Sequence, residues 1–172
     1  MTSAMRGLFL LQRSFADVDD LIAEARHWNL DFRQLDRGEF RGELLQFVTQ
    51  GVQIAEARFR RTLHQAGSPP AALRTIAVPA TSDLNLVWRG QRIDGNSLML
   101  FPRGGDLASV SGPDFHVYTC SFPESMLDLV CESFELGTCD HLCDTLEAIH
   151  CDPMQMQALR RCLAGLCETV RW

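Results

Sequence analysis

Trp28-Asn-Leu-Asp-Phe-Arg-Gln-Leu-Asp-Arg-Gly38 decides how this chain is read. Trp28, Leu30 and Phe32 alternate with Asn29, Asp31 and Arg33, the two-residue period of a strand buried on one face. Asp36-Arg37-Gly38 then supplies a turn signal. Residues 40–48 read as the returning strand, so the two are expected to form a hairpin.

The same rhythm runs outward from this stretch. Residues 73–78, 84–88, 97–101, 107–110 and 115–122 are further strand candidates, and 52–59 fits strand or helix equally well. Turn signals separate them at Gly67-Ser-Pro-Pro70, Arg89-Gly90, Asp94-Gly95, residues 102–106 and Gly112-Pro113. Ahead of Trp28, Val18, Leu21, Ile22 and Ala25 repeat at helical spacing behind a Ser14-x-x-Asp17 capping box.

After residue 122 the period becomes helical. Ser121 and Glu124 fit a second capping box, Met126, Leu127, Val130 and Phe134 give an apolar face, and Gly137 ends it. Asp140 is the expected cap of another helix burying Leu142, Leu146 and Ile149. Asp152-Pro153 starts a third, with the stripe Leu159, Cys162, Leu163, Leu166 and Val170 and the pair Arg160-Arg161 on its polar side. Strands followed by helices define an α+β order. The expectation is a β-barrel of about eight short antiparallel strands over residues 1–122, with one leading helix. A helical segment of about three helices follows over 123–172.

Composition narrows the function classes. Of the 172 residues, 46% are hydrophobic and 22% charged, which is globular. A net charge of −6 disfavours binding to a phosphate backbone by this chain alone. The apolar run at residues 7–11 is too short for a membrane span or a signal peptide, so a cytoplasmic protein with no membrane partner is expected. Seven cysteines, an odd number, argue against a disulfide framework.

Catalytic and metal constellations are thin. Cys139, His141, Cys143, His150 and Cys151 cluster in sequence, but without the C-x-x-C pairing of a structural zinc site. An open catalytic metal site needs several convergent ligands. The best strand offers His116 alone, with Tyr118 where a second histidine of an H-x-H pair would stand. Cys120 stands four residues from His116, too far along a strand for contact, and reads as a buried thiol. No G-x-S-x-G elbow presents a nucleophile. No metal, no cofactor and no enzymatic activity are therefore expected.

Four phrases carry a resemblance. They are Trp28-Asn-Leu-Asp-Phe-Arg-Gln-Leu-Asp-Arg-Gly38, Arg58-Phe-Arg-Arg-Thr-Leu-His-Gln-Ala-Gly67, Trp88-Arg-Gly90 and Phe101-Pro-Arg-Gly-Gly-Asp106. With the opening Phe15-Ala-Asp-Val-Asp19, the chain resembles the amino-terminal sensory domain of AraC-type bacterial transcription regulators over roughly residues 15–122. Ethanolamine-utilisation regulators are similar in layout. The resemblance implies a cupin-like barrel, helices used for dimerisation, and DNA contact only through a separate carboxy-terminal helix-turn-helix domain, which is expected to lie outside these residues. The functional expectation is an effector-sensing and dimerisation domain. The alternative is a stand-alone cupin-like small-molecule-binding protein or metal-free enzyme.

An eight-stranded barrel has room for one small ligand, so an unidentified small-molecule effector is expected inside it. Strand alternation nominates Trp88, Phe101, His116 and Tyr118 as its lining, with Arg33 as an anchor for an acidic or carbonyl group. Arg33 has a plainer reading, a solvent-facing side chain paired with Glu43. A homodimer is expected to pair through Leu159, Leu163, Leu166 and Val170. Their plainer reading is a stripe folded back on its own chain.

Overall fold

The computed structural model describes residues 9–102, 105–136 and 146–171. Twelve strands and three helices lie among them. In chain order these are β1 (Phe9–Phe15), α1 (Val18–Glu24), β2 (Asn29–Gln34), β3 (Gly42–Thr49), β4 (Val52–Phe59), β5 (Leu63–Ser68), β6 (Arg74–Pro79), β7 (Leu86–Trp88), β8 (Gln91–Ile93), β9 (Ser97–Phe101), β10 (Leu107–Ser111), β11 (Phe115–Phe122), α2 (Glu124–Ser133), β12 (Ala148–His150) and α3 (Pro153–Val170).

The strands pair antiparallel into two sheets, one ordered β1-β3-β4-β11-β6-β9-β12 and the other β2-β5-β10-β7-β8. The α+β class is as read from sequence. Closure of the strands into the expected barrel is not shown: no described strand is hydrogen-bonded into both sheets.

The expected hairpin of β2 with β3 also fails. β2 pairs with β5, from Asn29 opposite Ser68 to Gln34 opposite Leu63, while β3 pairs with β1 and β4 in the other sheet. Residues 35–41 are too long for a tight hairpin turn. They cross between sheets, with Gln34 Nε2 donating to the carbonyls of Asp36 and Gly38 at 2.7 Å each. The true hairpins have two-residue turns with both central φ values positive: Gln50-Gly51 (48° and 82°) between β3 and β4, and Arg89-Gly90 (47° and 82°) between β7 and β8. The Trp88-Arg-Gly90 phrase is thus a hairpin corner.

Alternation splits the central strands of the larger sheet between two cores. Leu44, Ala55, Phe59, Ala77, Met99, Phe101, Phe115 and Val117 pack between the sheets against Phe32, Leu63, Leu86, Trp88 and Leu107. Edge-on ring contacts tie the sheets together, Phe32 to Phe59 at 5.8 Å and Trp88 to Phe101 at 5.0 Å between centroids. Leu45, Phe47, Ile54, Val78 and Tyr118 face the other way and pack under Met156, Leu163 and Cys167 of α3. The segment after residue 122 therefore joins the body of the fold. β12 adds an edge strand against β9, and α3 covers the outer face of the large sheet.

The helix readings need three corrections. Ser14 belongs to β1, and Asp17 caps α1 instead, accepting from Asp19 N at 2.7 Å. The Ser121/Glu124 box does not form: Ser121 Oγ meets Thr75 Oγ1 at 2.8 Å, and Arg74 Nη2 donates to Glu124 Oε1 at 2.6 Å. Ile149 is not helical but lies in β12 opposite Leu98. Leu146, expected to be buried on the same helix, is neither helical nor buried, at 39% exposed. Asp140 and Leu142 of that expected helix, and Gly137, lie outside the described residues. α3 begins as read, with Asp152 accepting from Met154 N and Gln155 N and Pro153 in the first turn.

Candidate functional site

A cavity of about 80 Å³ lies between the sheets. Its wall is overwhelmingly apolar. β4 and β11 of the large sheet contribute Ala55, Ala57, Phe59, Phe115 and Val117, and the small sheet contributes Phe32, Leu86 and Trp88. Gln65, Ser109 and Thr119 add polar groups. Gln65 Nε2 is already committed to Ser111 Oγ at 2.8 Å. Leu21, Ala25 and Trp28 close one end, which is how α1 takes part. Gln46 reaches from β3 to hold that end. Its amide accepts from Arg26 N and donates to Arg26 O, both at 2.9 Å, pinning the turn where His27 takes a positive φ.

Of the five residues expected to line an effector site, two face this cavity. Phe101 and Trp88 face the cavity, and Trp88 Nε1 donates to the Glu147 carbonyl at 2.8 Å. Arg33 does not. It lies on the outer face of the small sheet, 73% exposed, and pairs with Asp31 at 3.3 Å. Glu43, its expected partner, belongs to the other sheet, opposite Arg58. His116 and Tyr118 are one register step from the cavity, on the face of β11 that meets α3. Their neighbours Phe115 and Val117 point inward in their place.

The outer face holds a cluster that the sequence reading missed. Glu56, 3% exposed, accepts from His116 Nε2 at 2.8 Å, and from Arg58 Nε at 3.1 Å and Nη2 at 2.7 Å. Its second oxygen accepts from Arg171, which follows α3 and also pairs with Glu168. Burial alone would raise the Glu56 pKa. Hydrogen bonds from His116 and Arg58 and the charge of Arg171 outweigh that and bring it down to about 2. Burial beside this carboxylate raises the Tyr118 phenol. Burial, with Glu56 adding to it, pushes the Cys167 thiol up to about 12, and burial pushes Cys120 up to about 11. Neither thiol is poised as a nucleophile at neutral pH. The signal in the sequence was Glu56 itself, an acid in the middle of Val52-Gln-Ile-Ala-Glu-Ala-Arg-Phe59.

α3 differs from its sequence reading in one further respect. Arg160 is on the buried side, not the polar one. Its guanidinium donates to Pro79 O at 2.8 Å, to Thr81 O at 3.4 Å and to Gly95 O. Gly95 permits this close packing, because a Cβ there would stand 2.4 Å from the Ser82 carbonyl oxygen. Of the expected interface, Leu163 is buried against its own sheet, Leu159 and Val170 pack around it, and Leu166 is 42% exposed. Cys162 also faces solvent.

A charged cleft opens at one end of the sandwich, rimmed by Arg41, Arg58, Arg60, Glu39, Glu43 and Asp114. Each arginine there has an acid beside it: Arg41 with Glu39 at 3.8 Å, Arg60 with Asp114 at 3.1 Å, and Arg58 with Glu56. The cleft thus carries no excess of positive charge. Of the clustered Cys and His residues considered as metal ligands, His150 and Cys151 are described. His150 Nδ1 lies 3.2 Å from Asp94 Oδ2, and the other three lie outside the described residues. Among the described residues, no helix is long and apolar enough to cross a membrane.

No family model and no curated protein matches the chain in sequence. Among solved structures, the AraC-like transcriptional activator CuxR matches with a TM-score of 0.61 at 11% identity, over 93% of this chain and 61% of that one. The chain spans less than two thirds of that activator's length. The likeness is one of fold. Vicilin from hazelnut, Corylus avellana, aligns at a TM-score of 0.34 and 6% identity, over 77% of this chain and 48% of that one.

Proposed function

We propose that this chain is the cupin-like effector-sensing domain of an AraC-type transcription regulator, acting by binding and not by catalysis. The observation that supports this reading most is the fold shared along 93% of the chain with an AraC-like activator. The four sequence phrases point the same way. On this reading DNA contact belongs to a domain other than this one, since a net charge of −6 repels a phosphate backbone.

The cavity between the sheets is the proposed effector site, and its size constrains the ligand. Drug-sized ligands occupy pockets of roughly 300–1,000 Å³, and benzene is held by an engineered cavity of about 150 Å³. A space of about 80 Å³ lined by aromatic and aliphatic side chains suits a very small, mainly apolar molecule. A larger effector must part the sheets. With Arg33 in solvent, no charged anchor is assigned, and the ligand class shifts from acidic to neutral. The test is a thermal-shift screen of small neutral hydrocarbons, alcohols and ketones, followed by binding of any stabilising compound to Ala55→Val. The variant fills the cavity and should weaken binding at least about tenfold, the equivalent of about 1.4 kcal/mol. Unchanged affinity would place the site elsewhere.

Homodimerisation stays part of the proposal, with an altered interface. Leu163 serves its own core, while Leu166 on α3, Leu129 on α2 and Phe134 at the end of α2 are exposed apolar groups. Sedimentation of Leu129→Asp and Leu166→Asp tests this: a dimer that survives both changes does not use these helices.

A further inference from the structure

We propose that the Glu56 cluster is a latch coupling the state of the inter-sheet cavity to the seating of the carboxy-terminal end of α3. Its regulatory meaning rests on the cavity being the effector site. The latch itself rests on geometry. In β4, Ala55 and Ala57 line the cavity, and Glu56 between them points to the opposite face. In β11, Phe115 and Val117 line the cavity, and His116 between them points out to Glu56. The strands are hydrogen-bonded neighbours, with Ala57 opposite Val117 and Glu56 opposite Tyr118. Strand alternation makes one backbone carry both faces. A change in cavity packing that shifts β4 against β11 therefore moves the groups that hold Arg171.

Beyond its apolar packing on the sheet, α3 is held by two arginines in different ways. Its middle is fixed by Arg160, whose carbonyl partners Pro79, Thr81 and Gly95 all lie outside the cavity wall. Its far end is fixed by Arg171 to a carboxylate on the reverse of that wall. Arg171 has an alternative partner already in place in Glu168, and Glu56 keeps His116 and Arg58 when Arg171 leaves. Release of Arg171 leaves neither charge without a counter-charge, so the exchange of its partner from Glu56 to Glu168 can lie close to balance. That is the property a two-state coupling element requires.

The test needs no effector. Ala55→Val alters the cavity without touching α3, and Arg171→Met removes the latch. Amide hydrogen exchange over residues 163–170 is measured in the wild type, both single variants and the double variant. Arg171→Met should speed exchange there about tenfold or more while the turns near Asp152 stay protected. Ala55→Val alone should speed it about fivefold or more, and should add nothing once Arg171 is gone. If Ala55→Val does not fold, Val117→Ala enlarges the cavity instead and serves the same cycle. Unchanged exchange in the cavity variant, or effects that simply add, overturns the latch. A ligand screen without hits would count against the effector reading and leave this measured coupling intact, so the two failures are distinguishable.

Discussion

The two faces of the seven-stranded sheet are built from the same strands and solve opposite problems. The inner face is apolar, carries aromatic rings from both sheets, and leaves space unfilled. The outer face is closed by a helix and buries a carboxylate, Glu56, among cations. The comparison teaches where each kind of information can sit. An apolar cavity tolerates a guest because nothing in it demands a fixed partner. A buried charge network tolerates one geometry, because an unpaired charge is costly. The inner face leaves room, and the outer face holds a helix in register.

The largest expected effect tests whether α3 belongs to this fold or to an interface. Leu163 is 5% exposed and Leu166 is 42% exposed on the same helix. Leu163→Asp puts a charge in the outer core and should cost about 4 kcal/mol or more in urea denaturation. Leu166→Asp should cost less than about 1 kcal/mol. If both variants are equally stable, α3 is not docked as described, and the outer face loses its defining partner.

Acid should act on the outer face next. The Glu56 pKa falls from the ordinary 4.5 to about 2 in the folded protein. Its contribution is therefore complete above about pH 4.5 and is lost as pH falls toward 2, amounting to about 3 kcal/mol at most. The groups facing it are His116 and Tyr118 from β11, Arg58 from β4, and Cys167, Glu168 and Arg171 from the end of α3. Urea midpoints from pH 5 to pH 2.5 should fall more steeply in the wild type than in Glu56→Gln. Parallel curves would mean that the carboxylate is not held as described.

The same contrast explains what could be read from sequence. β9 and β11 were legible to the residue, as was the Asp152 cap of α3, because alternation and capping are local. β5 was missed because Leu63-His-Gln-Ala-Gly-Ser68 offers almost no β-branched or aromatic residues, and its pairing comes from neighbours distant in the chain. Which face of β11 points inward was not legible either. Both faces are buried, so His116 and Tyr118 alternate with Phe115 and Val117 without a polar side to fix the choice. The role of Glu56 is not legible for a related reason. Its partners Arg58, His116 and Arg171 are brought together only by the register of β4 with β11 and by the docking of α3.

A smaller effect probes the inner face. Adding carbon to a well-packed core usually costs about 1–3 kcal/mol. Ala55 borders open volume, so Ala55→Val should change stability by less than about 1 kcal/mol, read from the urea midpoint. A loss above 2 kcal/mol would mean that the space is not usable, and the inner face would then be an ordinary core with no room for a guest.

The smallest expected effect belongs to Arg33, and it sharpens the comparison by adding a third surface. Arg33 and Asp31 lie on the exterior of the five-stranded sheet, 73% and 61% exposed, so their ion pair is solvated on all sides. Pairs of this kind contribute about 0–1 kcal/mol, and salt screens what remains. Arg33→Ala should shift stability by less than about 0.5 kcal/mol and leave the affinity of any cavity ligand unchanged. Isothermal titration of that ligand, run beside Ala55→Val, makes the distinction. Because an exterior charge reaches the cavity only through a sheet and its apolar lining, loss of binding in Arg33→Ala with retained binding in Ala55→Val would reverse the assignment. The effector would then sit on the open face of the small sheet, and the interior would be packing alone.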